Sequence, residues 1–410
     1  MTIFSWVFFA LLIECYVKQC AGMSTGLQYV VVIDAGSTGS RAITYKFNVD
    51  HLNRQLQLNN RESVKQMTPG LHEFWNNPIE GGNQIQKLLE HVKEDIPKEN
   101  LASTQLILRA TGGMRKLKNP NQAENILKEV RKVFSTSGFY INGNSAEILD
   151  AVDEGIFSWF TINFLLGLLG SKKTVAALDM GGASTQVSFA IEDKLKSKVS
   201  SVYDHVYSVV TPNYESDVFS LSSELGLDVL LYKVLKYGTP NGTRHFNSVC
   251  MRHSVKLRRF YLNTMLFTVS GAPNRNLTID FDACMDGVKK VTLNTINPKL
   301  HIENQRIFAF SGFAYKILSI GLIDSEKGGR LTLNDILSNT KIVCNTKTKD
   351  PFLCLHLTYI YVLLHHAYGL NLSTNIEFRQ NVNGHVVSWT LGCAIDLLFG
   401  ISKTKKYTSK

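Results

Sequence analysis

Two short stretches of this chain follow one plan, and together they constrain its architecture more than anything else in it. The first is a β-branched run, Tyr29-Val30-Val31-Val32-Ile33, that ends in Asp34-Ala35-Gly36-Ser37-Thr38-Gly39-Ser40-Arg41 and returns as Ala42-Ile43-Thr44-Tyr45-Lys46-Phe47. The second begins with Thr174-Val175-Ala176-Ala177-Leu178, turns at Asp179-Met180-Gly181-Gly182-Ala183-Ser184-Thr185, and returns as Gln186-Val187-Ser188-Phe189-Ala190. Each reads as a buried strand, an Asp at its end, a turn of glycines and hydroxyls, and an antiparallel strand. A supersecondary unit that recurs far along a chain points to two halves built on one plan.

The segments around these units favour an α/β class. A third strand, Gln105 to Ala110, runs into the turn Thr111-Gly112-Gly113, and helical spacing marks Gly82 to Lys93 and Gln122 to Phe134. Strands alternating with helices argue for α/β layers, and 410 residues suit two or three domains. The stretch from about Ser200 to Gly329 is less regular and reads as surface insertions. Leu353 to Tyr368 is a strongly apolar helix, and a last helix is expected from Trp389 to Phe399 after a strand signal at Val386-Val387.

The turns themselves suggest chemistry. Glycines let backbone come close to an anion, and their N–H groups with Ser and Thr hydroxyls can cradle phosphate oxygens. An Asp at each strand end offers a hard oxygen ligand for Mg²⁺ or Ca²⁺, directly or through water. There is no HEXXH zinc motif and no Walker-type GXXXXGK[ST] loop, and the His365-His366 pair on an apolar helix reads as structural.

Charge and processing signals bound the setting. The 44 Lys+Arg against 34 Asp+Glu give a net charge of +10, which attracts polyanions: nucleotides, nucleic acid, sulfated glycans or an anionic membrane surface. The apolar run Ile3 to Ile13, followed by Gln19-Cys20-Ala21-Gly22, reads as a signal peptide cleaved near Ala21 or Gly22. Sequons at Asn241, Asn276 and Asn371 suit an exported glycoprotein. Five cysteines would remain; we expect Cys250–Cys284 and Cys344–Cys354 disulfides, with Cys393 a buried free thiol. The C-terminus, ending Lys403-Thr404-Lys405-Lys406-Tyr407-Thr408-Ser409-Lys410, has no membrane anchor, so a soluble, secreted protein is expected.

Five stretches together resemble the conserved regions of the ectonucleoside triphosphate diphosphohydrolases, or apyrases. They are Val32 to Arg41, Arg109 to Arg115, Asp153 to Gly167, Leu178 to Gln186 and Phe308 to Phe313, in that order. The resemblance runs from Tyr29 to about Phe399 and implies an actin-like, ribonuclease-H-like fold of two lobes with the nucleotide between them. It implies a first lobe of residues 23–150 with 383–402, a second of 151–382, and a basic tail of 403–410. Glu154 is similar to the general base that activates water, with Ser184 and Gln186 positioning that water. Ser37, Thr38, Gly39, Ser40, Gly181, Gly182 and Ala183 would bind phosphates. Asp34, Asp179 and Thr111 would hold a Ca²⁺ or Mg²⁺ ion, largely through water. Tyr315 and Phe352 are candidates for stacking on the base, whereas Trp159 reads as helix packing.

Two details depart from the family's common pattern. The first loop reads Ser-Thr-Gly-Ser-Arg, closer to soluble and organellar members than to membrane-anchored ones, which favours diphosphates at least as much as triphosphates. Gly112 stands where Ala is common, a change expected to be tolerated. The implied activity is a secreted apyrase acting on ATP, ADP and related nucleotides, with clearance of extracellular ADP, and so suppression of platelet activation, as its role. It would act on nucleotides and not on nucleic acid; its oligomeric state is left open. The alternatives are a nucleotide- or polyanion-sequestering protein without turnover and a phosphotransferase of the actin-like superfamily.

Overall fold

The computed structural model describes residues 25–50, 52–191, 205–211, 213–262, 265–272, 278–296, 300, 302 and 305–405. The expected signal peptide, the sequon Asn276 and residues 406–410 lie outside the described residues.

The first sheet contains β1 (Thr25–Ala35), β2 (Ser40–Asp50), β3 (Gln55–Leu58), β4 (Ser63–Met67), β5 (Gln105–Ala110) and β6 (Ala146–Ile148), in the order β3-β2-β1-β5-β6 with β4 also on β2. The second comprises β7 (Ala176–Met180), β8 (Thr185–Ala190), β9 (Val206–Thr211), β10 (Tyr214–Ser223), β14 (Ile307–Ser311), β15 (Gly329–Thr332), β16 (Asn375–Phe378) and β19 (Ser402–Lys405), in the order β15-β16-β14-β7-β8-β10-β9-β19. Between them in sequence, β11 (His245–Ser248), β12 (Arg258–Leu262) and β13 (Met265–Gly271) form a small third sheet. A short hairpin pairs β17 (Asn381–Val382) with β18 (His385–Val386).

Both halves repeat one topology. The β1–β2 hairpin has parallel β5 beside β1, and the β7–β8 hairpin has parallel β14 beside β7. The helices are α1 (Pro78–Lys93), α2 (Pro120–Ser135), α3 (Ala151–Leu165), α4 (Leu227–Lys236), α5 (Phe281–Leu293), α6 (Gly312–Leu318), α7 (Leu333–Asn345), α8 (Leu353–Tyr361) and α9 (Trp389–Phe399), plus one turn at Gly112–Arg115. α2 starts at a capping box made by Asn119 and Gln122, which satisfies N–H groups the first turn leaves free.

The continuous apolar run of β1 has a simple cause: both of its faces are covered. Tyr29, Val31 and Ile33 pack with α1 and α2, whereas Val30 and Val32 pack with α3 and α9. β7 does the same, with Ala176 and Leu178 in the outer core of the second half and Ala177, next to Val175, in the core shared with α3 and α9. Thus α3 and α9 form a layer sandwiched between the two large sheets. Because strand side chains alternate, Asp34 has the parity of Val30 and Val32, and Asp179 that of Val175 and Ala177. Both acids therefore face α3.

Two glycines let this middle layer be thin. A Cβ on Gly155 of α3 would fall 2.5 Å from Ser220 Oγ and 2.7 Å from Ser188 Oγ, on β10 and β8. One on Gly392 of α9 would fall 2.4 Å from the Phe157 carbonyl oxygen of α3. Trp159 is fully buried there, as packing residues are.

The structure differs from the sequence reading in three places. Residues 403–405 are not a free tail: β19 pairs with β9, and Lys403 Nζ lies 3.0 Å from Asp153 Oδ2 and 4.4 Å from the Phe157 ring centroid. An edge strand with open hydrogen-bonding groups captures the segment despite its lysines. The supposed insertion region contributes β9 and β10 to the main sheet as well as the small sheet. The apolar helix from Leu353 ends as α8 at Tyr361 and continues as a π-helical turn, Val362–Ala367, in which His365 Nδ1 meets the Leu370 carbonyl at 2.8 Å. Cys250–Cys284 and Cys344–Cys354 are disulfides, and Cys393 is a buried free thiol. Asn241 and Asn371 are exposed.

Because the Gly392 approach is backbone to backbone, Gly392→Ala cannot be absorbed by a rotamer change. We expect it to lower unfolding free energy by about 1–3 kcal/mol, read by urea denaturation, whereas Gly143→Ala, where no atom lies within 4 Å of the new Cβ, changes little.

Candidate active site

Each hairpin turn is closed by its own backbone: Gly36 N–H donates to the Gly39 carbonyl at 2.9 Å, and Gly181 N–H to the Ser184 carbonyl at 2.9 Å. The second turn is also held from below. Leu227 and Asp228, at the start of α4, donate their N–H groups to the carbonyls of Gly181 and Gly182 at 3.0 and 2.9 Å, and Lys116 Nζ donates to the Ala183 carbonyl at 3.1 Å. With those carbonyls engaged, the N–H side of the turn is what remains for an anion.

Three turns converge. A Cβ on Gly182 would lie 3.0 Å from Ser37 Oγ, and one on Gly112 only 2.6 Å from the Ala183 Cβ. The absence of a side chain at Gly112 is therefore what lets the Thr111 turn meet the second loop so closely. Thr111 is tied to the first loop, its N–H donating to the Ala35 carbonyl at 3.1 Å.

Three carboxylates are buried around this junction: Asp34, Asp179 and Glu154. Asp34 Oδ2 accepts from Arg41 at 2.9 Å, while its Oδ1 is buried without a partner. Asp179 Oδ2 accepts from Ser158 at 2.9 Å, and Asp179 is also hydrogen-bonded by Ser311. Burial raises its pKa, those hydroxyls oppose the rise, and the negative charge of Asp34 adds to it. Glu154 sits in the first turn of α3, behind the N-cap Asp150, whose side chain accepts from Val152 N–H at 2.7 Å. Glu154 and Ser158 are four residues apart and share a helix face.

Glu154 carries the most informative perturbation. Burial pushes its pKa up to about 7; Arg115, whose guanidinium donates to Oε2 at 2.8 Å, limits the rise, and Asp179 and Asp34 add to it. A carboxyl poised near neutrality is matched to general-base work. Arg115 also donates to the Leu149 carbonyl at 2.7 Å, anchoring the guanidinium just before α3.

Ser184 and Gln186 adjoin this group as a pair. Gln186 Nε2 donates to Ser184 Oγ at 3.0 Å and to Ser222 Oγ at 3.1 Å, and Gln186 is buried. The Ser184 oxygen is thus an acceptor inside the protein, and its O–H is left as a donor.

The donor set fits a hard divalent cation. Two carboxylates face one layer, one oxygen of Asp34 is buried without a partner, and neighbouring hydroxyls belong to Thr111 and Ser158. Among the described residues no cluster of three His, Cys, Asp or Glu side chains is placed to ligate a metal. A few carboxylate ligands with water making up the shell is the mode oxygen-seeking ions adopt.

Several residues the sequence pointed to stand elsewhere or differently. Ser40 is fully buried, its hydroxyl without a partner, so it is withdrawn from the surface that Ser37, Thr38 and Gly39 present. Phe352 packs its ring against Phe260 and His356, at 6.0 and 6.3 Å between centroids, at the edge of the core. Tyr315 is exposed on α6.

Sequence reasoning also passed over Arg41, Arg115, Ser158, Ser311 and His72. The first four lie inside the five matched stretches without a role having been given to them, and Ser158 also stands at i+4 from Glu154. Ser311 ends β14 beside β7, as Thr111 follows β5 beside β1, so the repeat itself points to it. Its φ of 52° and ψ of −127° are rare for a residue with a Cβ, and strain of this kind persists where function holds it. His72 has no sequence signal: buried, its pKa lowered by burial, it lies 2.7 Å from where a Gly113 Cβ would be.

Comparison with known proteins follows the same lines. The GDA1/CD39 (nucleoside phosphatase) family matches residues 22–410. Nucleoside diphosphate phosphatase ENTPD5 of Homo sapiens is 31% identical over 396 residues, covering 93% of this chain and 90% of its own length. Ectonucleoside triphosphate diphosphohydrolase 6 of Homo sapiens is 28% identical over 400 residues, with 93% and 79% covered. Among solved structures, a nucleoside triphosphate hydrolase from Neospora caninum superposes with a TM-score of 0.63 at 14% identity, covering 96% of each chain. A Ppx/GppA family member from Aquifex aeolicus gives 0.50 at 14% identity, with 91% and 98% covered. The fold is the two-lobed, actin-like one.

If Arg115 holds Glu154 as this geometry indicates, Arg115→Gln raises the carboxyl's pKa, so the acid limb of kcat/KM against pH moves to higher pH. Activity at the optimum is expected to fall about 10²-fold through lost positioning. An unmoved limb would mean the ion pair does not govern Glu154.

Proposed function

The chain belongs to the GDA1/CD39 nucleoside phosphatase family, and from that premise we propose that it hydrolyses the terminal phosphate of nucleoside di- and triphosphates. The observation that carries the reading is Glu154, buried, poised near pH 7 and held by Arg115 beside Asp34 and Asp179.

In this mechanism the backbone N–H groups and hydroxyls of Ser37, Thr38 and Gly39 on one side, and of Gly181, Gly182 and Ala183 on the other, hold phosphate oxygens. Ser184 donates its hydroxyl to the attacking water, and Gln186 acts through Ser184. Glu154 takes the proton as the water's oxygen bonds to phosphorus opposite the departing nucleotide. The bond from that phosphorus to the bridging oxygen then breaks, the oxygen and its charge leaving with a nucleotide one phosphate shorter, and inorganic phosphate is the other product. A Ca²⁺ or Mg²⁺ ion, when bound by Asp34 and Asp179 with Thr111 steadying its waters, supplies positive charge against the crowded phosphates. Catalysis is then positioning and electrostatics, with no covalent enzyme intermediate.

The finer reading is an exported apyrase active on ATP and ADP and extending to UDP or GDP, with diphosphates ranked at least level with triphosphates. That ranking is supported by the first-loop sequence and by similarity to a relative named for diphosphates. Residues 1–22 as a signal peptide, and glycans on Asn241, Asn276 and Asn371, belong to the same reading. No helix among the described residues is long and apolar enough to cross a membrane. Clearing extracellular ADP, and with it platelet activation, is the role this would serve.

Phosphate release from ADP by the purified protein is expected to require a divalent cation and to fall by roughly 10²–10⁴ in Glu154→Gln. Turnover unchanged in that variant would remove Glu154 as the base. Binding without multiple turnover in the wild type would favour sequestration, and phosphate delivered to an acceptor other than water would favour a phosphotransferase.

A further inference from the structure

The excess positive charge of this chain is not spread evenly. Between Asp228 and Asp280 there are eight lysines and arginines and no acidic residue, against a net charge of +10 for the whole protein. This segment builds α4 and the small sheet, ordered β11-β13-β12, which is joined to α5 through Cys250–Cys284.

The small sheet has one face on the core and one open; the open face carries His245, Asn247, Thr268 and Ser270 over most of its area but turns apolar towards the β12–β13 hairpin end, where such a face is usually polar. Its register pairs Phe260 with Phe267 and Arg259 with Thr268, and Tyr261 with Leu266. Phe267 and Val269 point into the core. By alternation Leu257, Arg259, Tyr261 and Leu266 lie on the opposite face. Leu257 is 53% exposed, Tyr261 66% and Leu266 36%, and Met265 at the hairpin's end is 42% exposed. Arg258 and Arg259 are exposed, and neither is ion-paired to a described residue.

We propose that this hairpin end, centred on the Tyr261–Leu266 pair with Arg259 on the same face and Arg258, opposite Val269, exposed beside it on the edge strand, docks the protein on an anionic lipid membrane surface. The combination identifies the occupant. A sulfated glycan or a nucleic-acid backbone is met by cations and needs no exposed aliphatic side chains. A phospholipid interface takes both, with Leu, Met and the Tyr ring entering the headgroup–acyl boundary and guanidinium groups pairing with headgroup phosphates. β12 is an edge strand, and adjacent arginines on an edge oppose strand addition by another protein or a second copy. The docking is peripheral and reversible. It lies apart from Glu154 and the phosphate loops, so it concerns where the protein acts and leaves the hydrolytic step alone.

The test uses the full chain and two double variants, Tyr261→Ser/Leu266→Ser and Arg258→Ser/Arg259→Ser, with nucleotide hydrolysis in solution as the check on folding. Cosedimentation is measured with vesicles of phosphatidylcholine containing one-fifth phosphatidylserine, and with phosphatidylcholine alone. The wild type is expected to bind the anionic vesicles, less at high salt. At about a factor of five per basic side chain near the surface, the arginine variant should bind roughly 30-fold more weakly. The Tyr261/Leu266 variant should lose about tenfold or more, with hydrolysis unchanged in both. The proposal is overturned if the anionic vesicles are not bound, or if either variant that retains hydrolysis binds them as the wild type does. It is equally overturned by retention on heparin without vesicle binding, or by a dimer in sedimentation that the Tyr261/Leu266 variant dissolves.

Discussion

Three carboxylates buried at one junction set the terms for the rest of the molecule. Removing ionised groups from water costs several kcal/mol each unless partners replace it. Here the partners are supplied unequally: an arginine each for Asp34 and Glu154, and two serine hydroxyls for Asp179. The offset is incomplete, since Asp34 keeps a bare oxygen, Asp179 is raised, and Glu154 rests near 7. A site left short of positive charge favours a bound cation. The same shortfall keeps Glu154 basic enough to take a proton at neutral pH, so one imbalance serves both needs.

The layered architecture is what makes that junction possible. Asp34 and Asp179 reach a common space only because their strands turn the same kind of face toward α3, and because α3 is pressed between the sheets. Gly155 and Gly392 permit the pressing, and Lys403 on β19 secures the outer side of α3 through Asp153. Ser311, held in an unfavoured backbone conformation, completes the set from the strand that repeats the position of β5.

Much of this was legible in the sequence, and the reason is locality. The two hairpin units, their terminal acids and the final helix Trp389–Phe399 all follow from periodicity within a dozen residues. What local pattern does not carry is partnership across the fold. Arg115 and Glu154, or Ser311 and Asp179, meet only after the sheets are assembled, and no spacing rule links them. The contact of Phe352 with Phe260, on the distant small sheet, is of the same kind. The lysines of residues 403–405 misled because charge says little about an edge strand whose partner offers unpaired backbone.

The net positive charge can now be divided by what it does. Arg41, Arg115 and Lys116 stand around the cleft, but each is engaged with a carboxylate or a carbonyl of the site itself. They hold the machinery in shape and leave little charge over to draw substrate from a distance. The unbalanced cations sit instead on the stretch between Asp228 and Asp280, beside a hairpin end at which Leu257, Tyr261, Met265 and Leu266 are exposed. Attraction of a small diffusing anion calls for charge at the cleft mouth, whereas attraction to an extended surface calls for a patch with apolar groups at its centre. The distribution matches the second, so the basic character of the chain is better understood as a property of its small sheet than of its active site.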